Sequence, residues 1–301
     1  MSKKQDFVKF YFKNKNEHGF VNASDVVKQF GINFPKREPL VFFEDKAGKN
    51  FLKYICIKGE LDAEMLLSRI YEKNGFVSAH YYPVENDTEH HKLQLDADMK
   101  KYFEFASGVV AATNDLRTQN TVKPCDSKAQ IFESFGNIFP FVNHLVDGRD
   151  KLTGQFSDEA IKQLLVMRLL DTASFNSDRH ISNFFYTVDN SSGQEVVDGI
   201  KTFDYGASGT IRGGYFYNNF IVGGDFQYEK SLNREQMLDS FKKNETVQMF
   251  LPKSESSEIL GNINFQKEAK DLEEETGYHV GQDLVDAWAK SFDDMAEELS
   301  Q

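Results

Sequence analysis

Cysteine is scarce in this chain of 301 residues. The two that occur, Cys56 and Cys125, lack the spacing of a metal site with other cysteines or histidines. We therefore expect both to be reduced structural thiols, without a disulfide and without redox chemistry.

Long apolar segments are missing as well. No run of about 18 uncharged apolar residues occurs, which argues against a membrane-spanning helix. The N-terminal sequence MSKKQDFVKFYF lacks the apolar stretch and the small-residue cleavage site of a signal peptide. A cytoplasmic protein is expected, with secretion as an effector left open.

Positive charge is in deficit. The chain has 35 Lys and Arg against 47 Asp and Glu, a formal net charge of −12. Nucleic acid and anionic membranes carry the same sign of charge and would repel it. We therefore expect no nucleic-acid partner and no nonspecific attachment to membranes.

Apolar and aromatic residues are plentiful. Hydrophobic residues make up 40% of the chain, including 28 Phe and 12 Tyr, which suffices for a sizeable core. Strand patterns dominate its beginning, and helical patterns dominate the rest. These patterns predict an α+β fold with a β-rich N-terminal lobe at residues 1–112 and a mainly helical C-terminal lobe at residues 113–301. The small-residue strand at Gly108–Ala112 is expected to connect the lobes.

Two short apolar runs near the N-terminus predict a β-hairpin. Leu40–Phe43 and Phe51–Cys56 are rich in β-forming residues and are separated by a short polar turn. Lys53 falls inside the second strand. A helix is then expected to begin with Asp62 as its cap and to carry Glu64 in its first turn.

The segment Phe175–Phe185 carries the most informative pattern. Asp178 and Asn183 stand as D-x-x-x-x-N, the spacing in kinase catalytic loops between the aspartate that accepts a hydroxyl proton and the asparagine that binds metal. Asp204, in an Asp-Tyr-Gly sequence, would be the second Mg²⁺ ligand. The pattern predicts an ATP-dependent phosphotransferase that uses Mg²⁺.

A second hairpin is predicted between these metal ligands. Phe184–Val188 and Val196–Phe203 are strand-forming runs, and the turn between them is polar and ends in glycine. Because such a unit folds back on itself, we expect Asp204 to lie close to Asn183.

Helices are predicted on both sides of this unit. Ser157 begins one that leads into the loop of Asp178. Apolar stripes at Met237–Phe241 and Leu284–Leu299 predict two further helices that face the core. The stretch Glu255–Glu275 is acidic and polar, and a solvated surface is expected there.

Three further side chains are assigned supporting roles. Lys53 would contact the α- and β-phosphates of ATP, and Glu64 would pair with it and set its direction. His180 is expected to orient the catalytic loop by hydrogen bonding and not to act as an acid or base. Alternatives stay open for both roles. They are Lys46, Lys49 and Lys58 for the phosphate-binding lysine and Glu60 for its glutamate partner.

A glycine-rich phosphate loop is not recognisable. Neither G-x-G-x-x-G nor G-x-x-x-x-G-K-[ST] occurs, which disfavours a P-loop NTPase and a eukaryotic-type kinase loop. The remaining candidate runs from Gly31 to Lys36, immediately before the first hairpin, and an ordinary turn is its alternative.

The catalytic stretch resembles that of HipA-type bacterial serine/threonine kinases and the related cell-translocating kinase. It reads D-x-x-x-x-N-x-D-R-H-x-x-N-F, with Asp-Arg-His where eukaryotic protein kinases have His-Arg-Asp. The match is specific over Asp171–Gly206. Its members in this chain are Asp171, Asn176, Asp178-Arg179-His180 and Asn183-Phe184.

This resemblance implies a two-lobed protein-kinase-like fold shared with phosphatidylinositol kinases. It implies Asp178 as the catalytic base, Asn183 and Asp204 as Mg²⁺ ligands, and Lys53 with Glu64 as the nucleotide pair. Gly31–Lys36 would stand in place of the phosphate loop. The implied partners are a protein with a Ser or Thr acceptor and an antitoxin or host protein. The chain is shorter than a full-length HipA protein, so an N-terminal domain is expected to be absent or replaced.

Two alternatives stay open. The acceptor would be an inositol lipid or another small molecule if the loop serves a lipid-type kinase. A kinase fold that only binds a partner, within a toxin and antitoxin pair or as an effector, is the second alternative. The presence of Asp178, Asn183 and Asp204 together argues against this non-catalytic module.

Overall fold

The computed structural model describes residues 6–32, 40–55, 58–85, 109–118, 120–122, 156–176, 179, 183–193, 196–206, 208 and 234–301. Five residues singled out by the sequence lie outside these ranges, and their roles stay predictions. They are Lys36, Cys56, Cys125, Asp178 and His180.

Strands prevail in the first half of the chain and helices in the second, so the predicted α+β class is confirmed. The strands are β1 (Val21–Asn22), β2 (Leu40–Glu44), β3 (Lys49–Ile55), β4 (Val77–Ser78), β5 (Tyr81–Glu85), β6 (Val109–Asn114), β7 (Thr121–Val122), β8 (Phe184–Asp189) and β9 (Val196–Thr202). The helices are α1 (Phe7–Asn14), α2 (Ala23–Phe30), α3 (Lys58–Lys73), α4 (Asp158–Ser174), α5 (Arg234–Lys243), α6 (Glu245–Phe250), α7 (Lys253–Gly261), α8 (Phe265–Thr276) and α9 (Gln282–Ser300).

The first sheet has the strand order β1, β5, β6, β3 and β2. Successive side chains of β3 point to opposite faces. Phe51 and Ile55 join the larger core, which includes α3 and α4, whereas Leu52 packs with α1 and α2 in a second, smaller core. Lys53 shares the face of Phe51 and Ile55, so its side chain lies on the side of the sheet that faces α3.

The first hairpin is confirmed, because β2 and β3 pair antiparallel with Leu40 opposite Lys53. The predicted start of the next helix is wrong, since α3 begins at Lys58 and Asp62 lies within it. The Asp62 carboxylate accepts a hydrogen bond from the hydroxyl of Tyr278 at 2.6 Å. Asp62 therefore anchors α3 to the C-terminal half and does not cap it, and Glu64 lies beyond the first turn.

The second sheet has the order β4, β9, β8 and β7. The predicted hairpin of β8 and β9 is confirmed, with Phe184 opposite Thr202. Residues 109–112, expected to connect the lobes, belong to β6 in the centre of the first sheet. In chain order the last strand of the first sheet ends at Asn114 and β7 of the second sheet begins at Thr121, but β4 of the second sheet lies earlier, before β5. The division of the chain at residue 112 stays a prediction.

Helix α4 packs against β9 of the second sheet, and the C-terminal helices pack on one another and on α4. Ser157 caps α4 as predicted, since its hydroxyl accepts from the backbone N–H of Ala160 at 3.0 Å. The helices predicted near Met237 and Leu284 are present as α5 and α9. The expectation of a solvated surface over Glu255–Glu275 is wrong in part, because α7 and α8 lie there and bury apolar side chains. Among the described helices, none is long and apolar enough to cross a membrane.

Candidate active site

Three charged side chains from separate elements meet at one point. The ammonium of Lys53 on β3 donates to Oε1 of Glu64 on α3 at 2.5 Å and to Oδ1 of Asp204 after β9 at 2.7 Å. Glu64 is fully buried, whereas 23% of the Lys53 side chain and 34% of the Asp204 side chain are exposed. Solvent therefore reaches this cluster through Lys53 and Asp204.

Lys58, one of the rival lysines, does not occupy this position. Its ammonium lies 3.1 Å from Oδ1 of Asp62 on the same helix and donates to the carbonyl of His279. The structure thus brings together the strand lysine and the helix glutamate that the sequence placed first, Lys53 and Glu64.

The charges of the cluster are strongly coupled. Burial alone would lower the pKa of Lys53, but Asp204 and Glu64 outweigh it and raise that pKa above its usual range. Burial raises the pKa of Glu64, while Lys53 favours its charged form. Two carboxylates share one ammonium, and this excess of negative charge suits a divalent cation.

Asp204 has a backbone conformation that is uncommon for a residue with a side chain. Its φ is 63°, in the left-handed region, which Asp tolerates better than most residues. The following residue is fixed firmly, because the backbone N–H of Tyr205 donates to Oε2 of Glu64 at 3.0 Å. The buried Tyr205 hydroxyl also lies 2.6 Å from the hydroxyls of Ser78 and Thr202. These contacts hold the strained turn that directs Asp204 at the lysine.

Arg179 joins the end of the catalytic loop to the Asp204 turn. Its side chain is fully buried, and Nη1 donates to the carbonyls of Asn183 and Phe203, each at 2.5 Å. These carbonyls belong to the residues just before β8 and just after β9. The Arg179 guanidinium therefore holds Asn183 close to Phe203, the residue before Asp204. This agrees with the proximity that the predicted β8–β9 hairpin implied.

Asp171 forms the other half of this buried network. Its carboxylate accepts from Nε of Arg179 at 3.1 and 3.2 Å, from the Asn176 amide at 3.0 Å and from the Tyr71 hydroxyl at 2.6 Å. Tyr71 belongs to α3, so one carboxylate joins α3, α4 and the catalytic loop. Asp171 belongs to the sequence motif, but the motif alone predicts no role for it. A carboxylate directly after the apolar run Leu169-Leu170 was the signal that it is buried.

Asn183 and Asp204 have the chemistry of Mg²⁺ ligands. Mg²⁺ prefers oxygen, and it is often bound through one or two protein side chains together with phosphate oxygens. Within the described ranges, no group of three or more His, Cys, Asp or Glu side chains forms a metal site. A site made of Asn183, Asp204 and nucleotide phosphates fits this donor set.

Gly31, proposed from the sequence for the phosphate loop, ends α2. It has a φ of 64°, and its backbone N–H donates to the carbonyl of Val27. This is the left-handed cap that glycine commonly supplies. Because Lys36 lies outside the described residues, a phosphate-binding role of Gly31–Lys36 stays a prediction.

Lys201 holds the segment between β6 and β7, one of the connections between the two sheets. It is only 9% exposed, and its ammonium donates to the carbonyl of Leu116 at 3.1 Å and to the hydroxyl of Thr118 at 3.0 Å. Burial lowers the pKa of Lys201. Its position on β9 close to Asp204 was visible in the sequence, but its contact with the connecting segment was not.

A strand lysine paired with a glutamate of a helix, together with a metal-binding aspartate, is the set of residue types that protein kinases use at the nucleotide phosphates. No protein-family model matches the chain, and no curated protein matches it by sequence. Among solved structures, it is similar to the Helicobacter pylori proinflammatory kinase CtkA, with a TM-score of 0.56 and 14% identity. The alignment covers 89% of this chain and 94% of that one. At this identity the similarity shows the fold alone, and the predicted kinase-like fold is confirmed at that level.

Proposed function

We propose that the protein is an ATP-dependent phosphotransferase, a serine/threonine protein kinase of HipA-like type. The observation that carries the proposal is the ammonium of Lys53 held between Glu64 and Asp204, at 2.5 and 2.7 Å. Catalysis of phosphoryl transfer consists mainly of positioning and charge stabilisation, which requires a fixed cation and a fixed metal-binding carboxylate.

Each residue has a defined task in this proposal. Lys53, oriented by Glu64, binds the α- and β-phosphates. Asp204 and Asn183 hold Mg²⁺, which when bound neutralises negative charge on the phosphates. Asp178, assigned from the D-x-x-x-x-N pattern, accepts the proton of the acceptor hydroxyl. Arg179 keeps Asn183 and the Asp204 turn in register while this happens.

A protein acceptor is favoured over a lipid acceptor by charge. The net charge of −12 opposes close approach to an anionic membrane surface, where an inositol lipid would be presented. The resemblance of the catalytic stretch to HipA-type kinases points the same way. An antitoxin or a host protein is the kind of partner that this resemblance suggests.

The test combines ligand binding with phosphate transfer. Thermal unfolding is measured with ATP, with Mg²⁺ and with both, and the purified protein is then incubated with labelled ATP and with protein or inositol-lipid acceptors. We expect stabilisation that requires ATP and Mg²⁺ together, and label on protein Ser or Thr. Asp204→Asn should abolish both effects, whereas the matched surface change Asp198→Asn should preserve them.

Three other results would redirect or reject the proposal. Label on lipid would replace the protein acceptor. Stabilisation by ATP and Mg²⁺ without transfer to any acceptor would favour a binding module. Absence of both would reject the phosphotransferase.

A further inference from the structure

A cavity of about 370 Å³ lies where the end of α3 meets α7 and α8. Lys53, Glu64 and Asp204 do not line it, so it is separate from the candidate active site. Its volume is within the range of small-ligand pockets and accommodates one or two large side chains.

One part of the cavity wall is apolar. Ile70 of α3 is almost fully buried, and Ile259 and Ile263 from α7 and the turn after it are partly buried against the same core. These three side chains provide a surface for an aliphatic group, because burying apolar area from water is favourable.

The remaining wall is polar, with three neutral asparagines, Asn74, Asn262 and Asn264, and a net negative charge. Among the described residues that line it, Glu255, Glu258 and Glu268 carry negative charge and Lys73 carries positive charge. Glu255 is paired with Lys162 at 2.6 Å. Within the described part of the chain, Glu258 is exposed and has no ion-pair partner. Counting only described residues, three carboxylates at the cavity face two cations, Lys73 and Lys162.

Glu268 is the most unusual of these carboxylates. It is 5% exposed, and its Oε1 accepts a hydrogen bond from Lys73. Its buried Oε2 has no hydrogen-bond partner among the residues that the structure describes. An unsatisfied buried carboxylate oxygen is costly, and a second cationic donor beside Glu268 would reduce that cost.

We propose that this cavity binds a peptide segment of a partner protein in which an aliphatic residue stands next to Arg or Lys. The aliphatic side chain packs on Ile70, Ile259 and Ile263, and the cation lies between Glu258 and Glu268. The peptide thereby contacts α3, the helix that carries Glu64. The binding does not depend on phosphotransfer.

The probe is a fluorescein-labelled hexapeptide of alternating Arg and Ile, titrated with the full-length protein without nucleotide. Binding is measured by fluorescence anisotropy. The buffer contains about 150 mM salt, which screens long-range attraction between charges. We expect saturable binding that a peptide of alternating Glu and Ile does not show. Glu258→Lys should raise the Kd at least about tenfold. Glu297→Lys, the same charge change at an exposed site on α9 outside the cavity, should change it less than about twofold.

The proposal is overturned if the Arg and Ile peptide does not bind, or if the Glu and Ile peptide binds equally well. Equal weakening by Glu258→Lys and Glu297→Lys would likewise overturn it, because it would indicate nonspecific attraction to an acidic protein. Circular dichroism of both variants verifies that they are folded. Since no nucleotide is present, a failure here is distinguishable from a failure of the proposed phosphotransferase.

Discussion

The ammonium of Lys53 lies 2.7 Å from Oδ1 of Asp204, a residue 151 positions further along the chain. Lys53 belongs to the first sheet, and Asp204 follows the last strand of the second. The contact therefore forms only when both sheets and α3 are assembled. The Lys53–Asp204 ion pair therefore depends on correct folding of the whole region around the candidate active site.

Removing only the cation of this cluster should destabilise the protein more than removing both the cation and the charge of Glu64. Lys53→Met leaves the Glu64 carboxylate buried beside Asp204 without a cation, which should lower the free energy of unfolding by about 3 kcal/mol. Adding Glu64→Gln removes the unpaired charge and keeps an acceptor for the Tyr205 N–H. Urea unfolding should show that the double variant recovers at least about half of the loss, while phosphotransfer stays absent. A double variant less stable than the single one would contradict the coupling.

Two substitutions at Asp204 should separate charge from backbone strain. Asn accepts the left-handed φ of 63° almost as well as Asp, whereas Ala does not. We expect Asp204→Asn and Asp204→Ala both to lower phosphotransfer at least about 100-fold. Only Asp204→Ala should lose about 1 kcal/mol of stability relative to Asp204→Asn. Equal unfolding free energies of the two variants would show that the turn is not strained.

Removing Arg179 should unfold the site. Arg179→Met leaves Asp171 fully buried without its cation and frees the carbonyls of Asn183 and Phe203, so we expect a loss of about 3 kcal/mol or more. The matched control is Lys243→Met, which breaks an ion pair with Asp239 that is mostly exposed, and it should cost less than about 1 kcal/mol. Chemical denaturation of both variants makes the comparison, and similar losses would contradict the role of the buried network.

Two glycines with positive φ should respond differently to alanine. A Cβ on Gly19 would lie 2.6 Å from the backbone nitrogen of Tyr278, whereas a Cβ on Gly31 would meet nothing within 4 Å. Gly31→Ala should cost about 1 kcal/mol from its φ alone. Gly19→Ala should cost about 1–3 kcal/mol more, because the chain must also move away from the backbone next to α8. Melting temperatures measured side by side test this, and equal shifts would disprove the close approach.

The buried ammonium of Lys201 should give the stability a pH dependence. Burial lowers its pKa in the folded protein from the ordinary 10.5. Between the lowered value and 10.5 the unfolded chain binds more protons, so the free energy of unfolding should rise with pH in this window. Lys201→Met lacks this contribution. Urea unfolding between about pH 7 and about pH 10 should show the wild type gaining stability relative to the variant. Parallel pH profiles would argue against the lowered pKa.

Local sequence predicted the local structure well. The hairpins β2–β3 and β8–β9 and the Ser157 cap of α4 depend on residues close together in the chain, and all three are present. The predicted start of α3 is wrong because it depends on a contact between residues far apart in the chain. Asp62 has the chemistry of a cap, but its partner Tyr278 is 216 positions away. The prediction of a solvated surface over Glu255–Glu275 is wrong in part, because a few buried side chains fix α7 and α8 although most of their other residues are polar.

The sequence by itself determined the α+β class and the motif around Asn183 and Asp204, because strand alternation, helical period and motif spacing are properties of neighbouring residues. The tertiary structure decided that Lys53 and Glu64 form the pair, that Arg179 joins the two ends of the β8–β9 hairpin, and that a cavity with a net negative charge forms behind α3. These features depend on which side chains become buried together when distant elements pack. Burial and charge pairing act between neighbours in space, and the order of residues alone does not specify those neighbours.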